Sequence, residues 1–159
     1  MNDAIEIVYL ELTENDLISR KKPQVTTNIR LAEHAGGALH QFFYCWVGKP
    51  WQWFDKRDWP IERWNEHAQK SALWIIYHDE TPVGYFELAK LEASVELQYF
   101  GLALEGIGLG IGGYALEVAC REALKLGDRV TVNTCSLDHP AALDNYKKCG
   151  FKELRREIE

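Results

Sequence analysis

Several features are scarce in this 159-residue chain, and each scarcity excludes something. No run of basic residues is longer than Arg20-Lys21-Lys22, and 18 Lys plus Arg stand against 24 Asp plus Glu, a formal charge of −6. A phosphate backbone is held by a broad basic surface, so nucleic acid is excluded as the main partner. Long apolar runs are missing too. The most lipid-like stretch, Phe100 to Cys120, holds six glycines and is interrupted by Glu105 and Glu117, so no membrane segment is expected. The start, Met-Asn-Asp-Ala-Ile-Glu, has no basic residue followed by an apolar core and a small-residue cleavage site, which points to a cytoplasmic protein without a secretory signal. The four cysteines, Cys45, Cys120, Cys135 and Cys149, are spaced like neither a CxxC pair nor a zinc set. All four are expected to be small core residues, and no metal is expected.

What is present is ample for one core: 47% apolar and 12% aromatic residues over a length that suits a single domain, residues 1–159. A first strand is expected over Ile5–Leu12, with turn and cap residues at 13–16 and a loop over Lys21–Thr27. Helical spacing from Ile29 to Val47 predicts a helix that Gly36-Gly37 kinks or splits, ended by Gly48-Lys-Pro50. A segment dense in tryptophan, Trp51–Trp59, leads into a second short helix opened by Asp58 as cap and Pro60 in the first turn. Strands follow at Ala72–Tyr77, Val83–Ala89 and Ser94–Leu102, then a glycine-rich loop (Gly106–Gly113) and a helix stopped by Gly127. A strand at Arg129–Cys135, a helix at Pro140–Cys149 stopped by Gly150, and a strand at Phe151–Ile158 complete the chain. The order β-α-α-β-β-β-α-β-α-β predicts a mixed α/β domain of α+β character. Its central sheet should be mostly antiparallel, flanked by helices, with one parallel pair, 94–102 and 129–135, that diverges.

The loop Glu105-Gly-Ile-Gly-Leu-Gly-Ile-Gly-Gly-Tyr114 sits between a strand and a helix start. Glycines there let a ligand approach the backbone, and the free N–H groups with the positive end of the helix dipole make an anion site suited to a phosphate or pyrophosphate. Gly108-x-Gly110-x-x-Gly113 reads as a dinucleotide fingerprint, but that fold needs several consecutive β-α units where this chain offers one. A P-loop needs Gly-Lys-Ser/Thr, and Gly112-Gly113-Tyr114 is not that. The order of elements, in contrast, resembles the GNAT superfamily of acyl-CoA-dependent N-acyltransferases. Ile107-Gly-Leu-Gly110-Ile-Gly112 resembles that family's Arg/Gln-x-x-Gly-x-Gly/Ala signature, and Ala141-Ala-Leu-Asp-Asn-Tyr146-Lys-Lys-Cys-Gly150-Phe151 resembles its second signature. Two positions depart from the pattern: Ile107 replaces the usual Arg or Gln, and His139 stands where many relatives carry Asn.

The resemblance implies an N-acetyltransferase that uses acetyl-CoA, with a cofactor half over about 94–159 and an acceptor side over about 29–70. It implies that the amides of Leu109, Gly110, Ile111, Gly112 and Gly113 hold the pyrophosphate, with His139 beside them, while the backbone at Gly101 and Leu102 pairs with the pantetheine arm. Tyr146 becomes the proton donor to the departing thiolate, since a phenol with a pKa of about 10 can serve that purpose. Glu96, eleven residues before Ile107, matches the spacing of the catalytic glutamate of the histone acetyltransferases. Glu87, His139 and water remain alternatives for the base, and a base here needs a pKa raised toward neutrality by apolar neighbours such as Tyr85 and Tyr99. No histidine is spaced to activate Cys135 or Cys149, so direct transfer is the simpler route.

Of the acceptor-side aromatics, Phe42, Phe43 and Trp46 have core spacing, whereas Trp51 and Trp53 are placed to line a pocket. With Asp55 and Glu87 nearby they would suit a cationic amine, either a small molecule or a peptide. A homodimer is compatible with this reading. The competing classes are a non-catalytic acyl-CoA-binding or regulatory module and, further off, a dinucleotide-binding protein.

Overall fold

The computed structural model describes residues 4–159. The first three residues of the segment read for a signal lie outside this range. Seven strands form one sheet in the order β2-β3-β4-β5-β6-β1-β7: β1 (Glu6–Thr13), β2 (Thr27–Leu31), β3 (Ala72–His78), β4 (Thr81–Lys90), β5 (Val95–Leu102), β6 (Arg129–Cys135) and β7 (Lys152–Ile158). Among the described residues four α-helices flank it: α1 (Gly37–Gly48), α2 (Ile61–Lys70), α3 (Gly112–Leu124) and α4 (Ala142–Cys149). Every neighbouring pair runs antiparallel except β5 and β6. The single parallel pair agrees with the sequence reading and removes the dinucleotide alternative, which requires a continuous parallel sheet.

The core has two layers. Leu10, Leu12, Phe86, Leu88, Val95 and Leu97 pack beneath α3 and α4 with Ile111, Leu116 and Cys120. Phe43, Val47, Leu73 and Tyr85 form the opposite layer, beneath α1. Strand β4 is buried on both faces over Val83–Ala89, which is why it reads as a nearly unbroken apolar run around Glu87. No helix among the described residues is long and apolar enough to cross a membrane.

Three local expectations need correction. Residues 27–31 form an edge strand paired with β3, and the helix starts only at Gly37. β-branched Val25, Thr26, Thr27 and Ile29 favour the pleat, and Ile29 reaches the core from it. Gly36-Gly37 therefore kinks nothing: Gly36 is the extended N-cap, and a Cβ on Gly37 would stand 2.5 Å from the backbone nitrogen of Asn65, so this glycine lets α1 and α2 meet. The N-cap of α2 is Pro60 and not Asp58, which is exposed. The cysteines divide: Cys120 and Cys149 are buried, whereas Cys45 and Cys135 are only half-buried.

Two features of β5 set up the site. Leu88 faces Leu97 and Glu87 faces Tyr99, so Gln98 is an extra residue, a bulge that shifts which face the following side chains take. Strands β5 and β6 pair only at Val95–Val130 and Glu96–Thr131 and part beyond. Residues 97–102 consequently pair with β4 on one edge and turn the other edge toward an opening in the sheet.

Candidate active site

That opening is a cavity of about 890 Å³. Its walls are β5 from Leu97 to Leu102, β6 at Val132, Asn133 and Cys135, and the start of α3, with Tyr146 and Asn145 of α4. A Cβ on Gly101 would meet Val47 at 2.7 Å and Trp53 at 3.6 Å, so glycine lets this stretch of β5 pack closely beneath α1.

The glycine loop lies at one end. Gly108 and Gly110 adopt φ of 89° and 77°, a left-handed backbone suited to glycine, and nothing stands within 4 Å of where their Cβ atoms would be. Ile111 is fully buried and anchors the helix start, while Gly110, Gly112 and Gly113 line the cavity. Leu109, expected among the phosphate-holding residues, packs against the core and does not line the cavity. The first N–H groups of α3 have no partner within the helix, so this end is electropositive without any basic residue in the loop.

Tyr146 projects from α4 with 6% exposure, its ring edge-on to Phe151 and Phe100, and it lines the cavity. Burial, with the negative charge of Asp138 and the nearby Cys120, pushes its phenol well above the usual range, so it carries its proton at neutral pH. His139 also lines the cavity, its Nδ1 accepting the N–H of Ala141 at 3.0 Å. Cys135, expected to be core, is part of the wall.

Asp138 went unnoticed in the sequence and connects the two halves. Its carboxylate accepts from Thr134 Oγ1 (2.6 Å), the N–H of Cys135 (3.0 Å) and the indole N–H of Trp53 (3.0 Å). Trp51 meets the His139 ring edge-on at 4.9 Å. The tryptophan segment thus closes over the cavity, as expected for Trp51 and Trp53, and is fastened to the turn after β6.

On the side of α1 and the tryptophan segment the cavity reaches Tyr44, Trp53, Asp55 and Tyr99. Tyr44 donates to Asp55 Oδ1 at 2.5 Å and accepts the N–H of Lys56. The Lys56 ammonium donates to the Tyr99 hydroxyl and lies over the Tyr99 and Trp59 rings, 4.6 and 5.5 Å from their centroids. Burial lowers the Lys56 pKa against the opposing pull of Asp55, Glu87 and Glu96. Glu96 is half-buried at the last paired position before the fork and belongs to this charge cluster, but it does not line the cavity itself. Phe42, expected in the core, is 53% exposed.

Glu87 is fully buried and does not face the cavity. Its Oε1 lies 2.6 Å from His67 Nε2 and 3.0 Å from His40 Nδ1, while its Oε2 has no partner. Burial opposes its ionisation, but the two imidazoles outweigh burial and hold the carboxyl below its ordinary value. These three side chains could converge on a cation. Ligands about 2.1 Å from a tetrahedral ion stand more than 3 Å apart, however, so the 2.6 Å contact fits a hydrogen bond better than shared coordination.

Comparison with known proteins adds the following. A family model described as Acetyltransferase (GNAT) family matches residues 39–151. The fold superposes on a GCN5-related N-acetyltransferase from Sphaerobacter thermophilus with a TM-score of 0.74 at 14% identity, covering 99% of this chain and 51% of that one. A Bacillus subtilis acetyltransferase solved in complex with CoA gives a TM-score of 0.61 at 19% identity, covering 80% and 77%. A GNAT-family acetyltransferase from Colwellia psychrerythraea gives 0.65 at 14% identity, covering 98% and 55%. The chain spans 51–60% of the length of several of the solved structures it matches. No curated protein matches it in sequence.

Proposed function

The chain belongs to the GNAT acetyltransferase family, and from that membership we propose that it moves the acetyl group of acetyl-CoA directly to a primary amine of a small molecule or peptide. The observation that carries this reading is the fork between β5 and β6, a cavity with an unpaired strand edge at one wall and a glycine-lined helix start at its end. Acetyl-CoA supplies an activated thioester. The backbone of Gly101 and Leu102 would pair with its pantetheine amides as an added strand does, and the amides from Leu109 to Gly113 would hold its pyrophosphate. Gly108 and Gly110 support this assignment, since nothing stands within 4 Å of where their Cβ atoms would be and the backbone there is left open.

Tyr146 holds a proton within the cavity wall and in this reading gives it to the departing thiolate. Glu96, with its charge toward Lys56 and Tyr99, is the proposed acceptor of the amine's proton, reached through an ordered water because it does not line the cavity itself. The aromatic surface of Tyr44, Trp53 and Tyr99 suits an alkyl ammonium before it loses that proton. Calorimetric titration with acetyl-CoA, CoA and NAD tests the cofactor class. Binding of both CoA species and indifference to NAD is expected; the reverse pattern would remove the reading.

A further inference from the structure

We infer that Arg20, on the connection between β1 and β2, is a phosphate-binding residue of the cofactor site. This inference rests on the acyl-CoA reading above. The loop from Ala103 to Gly113 contains no lysine or arginine and one acid, Glu105, so it offers a phosphate group only backbone. A cation has to come from elsewhere. Among the cavity-lining residues the cations are Arg20, Lys21 and Lys148, and Lys148 is already paired with Asp144 at 2.8 Å.

The connection is fixed across the face that carries α3 and α4. Ile18 donates its N–H to the carbonyl of Cys149, Asp16 pairs with Lys152 at 2.9 Å, and the N–H of Arg20 donates to Glu117 of α3. From that point the Arg20 side chain reaches the first turn of α3. Its Nη1 donates to the carbonyl oxygen and the Oδ1 of Asn145, at 3.2 and 2.8 Å. Its Nη2 lies against Gly113, where an added Cβ would stand only 2.6 Å away.

Three physical points make this a ligand contact and more than packing. The guanidinium forms no ion pair among the described residues: Glu117, which its own backbone N–H meets, gives one oxygen to that N–H and the other to Arg121. Beyond the two Nη1 contacts and the neighbouring Cys149 thiol, the guanidinium meets no acceptor oxygen among the described residues, although an arginine presents five donors. A cation beside a helix N-terminus is electrostatically unfavourable unless an anion sits between them. A phosphate group of the cofactor placed there satisfies the guanidinium, the helix amides and the charge imbalance together, and Arg20 provides the cationic side chain absent at Ile107.

Titration of the full chain with CoA, dephospho-CoA and pantetheine tests this. Arg20→Gln should weaken CoA about tenfold or more, the scale of a lost charge-assisted hydrogen bond. Pantetheine, which has no phosphate, should bind the variant and the parent alike, and Arg20→Lys should recover part of the loss. A loss that persists with dephospho-CoA places the contact on the pyrophosphate, and one that disappears places it on the 3′-phosphate; either supports the inference. Asn145→Ala, which frees the guanidinium without removing its charge, should show a smaller loss and serves if Arg20→Gln folds poorly. Unchanged CoA affinity in Arg20→Gln, or an equal loss for pantetheine, overturns the assignment. A parent protein that binds none of the three ligands overturns the acyl-CoA reading as well, and is a distinguishable result.

Discussion

The two halves of the proposed site present different kinds of surface. Around β5, the glycine loop and α3, the working surface is backbone: an unpaired strand edge, free amides and glycines whose missing side chains keep space open. Beneath α1 and α2 it is side chain: Tyr44 on Asp55, Trp53 and Tyr99 line the cavity, backed by Lys56 on two aromatic rings and by the buried Glu87 between two imidazoles. Backbone recognition tolerates many substitutions provided the glycines and the fork survive. Side-chain recognition depends on partners far apart in sequence, and each loss leaves a buried group unpaired.

If that contrast holds, perturbations in the two halves should fail in different observables. The largest effect is expected from Tyr146→Phe, which removes one hydroxyl. Turnover should fall by about 10²-fold or more while CoA affinity and melting temperature stay near those of the parent. Unchanged turnover, with chemistry shown to limit the rate, would remove Tyr146 from the mechanism.

In the acceptor half, His67→Leu should cost about 2–3 kcal/mol in chemical denaturation at pH 7, since it takes a hydrogen bond from a buried carboxylate. Because the carboxyl of Glu87 is held below its ordinary value, the stability this pairing confers is complete above the unfolded carboxyl pKa and is lost as pH falls through the folded one. The gap between variant and parent should therefore narrow in strongly acid solution. A gap that widened there would show that the carboxylate is not the group being paired.

Gly110→Ala forces a residue with a Cβ into φ of 77° and should weaken CoA about tenfold, with a stability loss of about 1 kcal/mol. Stability loss with intact affinity would show that the loop backbone is not a ligand surface. The smallest effect is expected from Glu96→Gln: a loss of rate that diminishes at higher pH, where more of the amine is already neutral. A pH-independent loss would assign Glu96 a positioning role.

The same contrast explains what the sequence disclosed. Apart from β2, the order of strands and helices, the parallel pair and the loop were legible because glycine placement and periodicity are local signals, and both ends of the Gly106–Gly113 loop are marked by them. Thr27–Leu31 was misassigned because a five-residue edge strand beside a helical apolar pattern is too short to impose its own period. The bulge at Gln98 leaves no sign in composition, since it is a register shift defined by β4. Asp138, Arg20 and the imidazoles of His40 and His67 became visible only in three dimensions, where partners separated by 20 to 125 positions meet. The Asp138-His139-Pro140 turn was the only one of these with a local cue, an acid placed to accept N–H groups around a turn.

The measurement that bears most directly on acyl transfer is free-thiol release from acetyl-CoA, followed with and without a panel of primary amines. The account predicts amine-dependent CoA release with equimolar N-acetyl product, abolished by omitting the amine and strongly reduced in Tyr146→Phe. Tight CoA binding without amine-dependent release across small and peptide amines would contradict it and assign the cavity to a binding module.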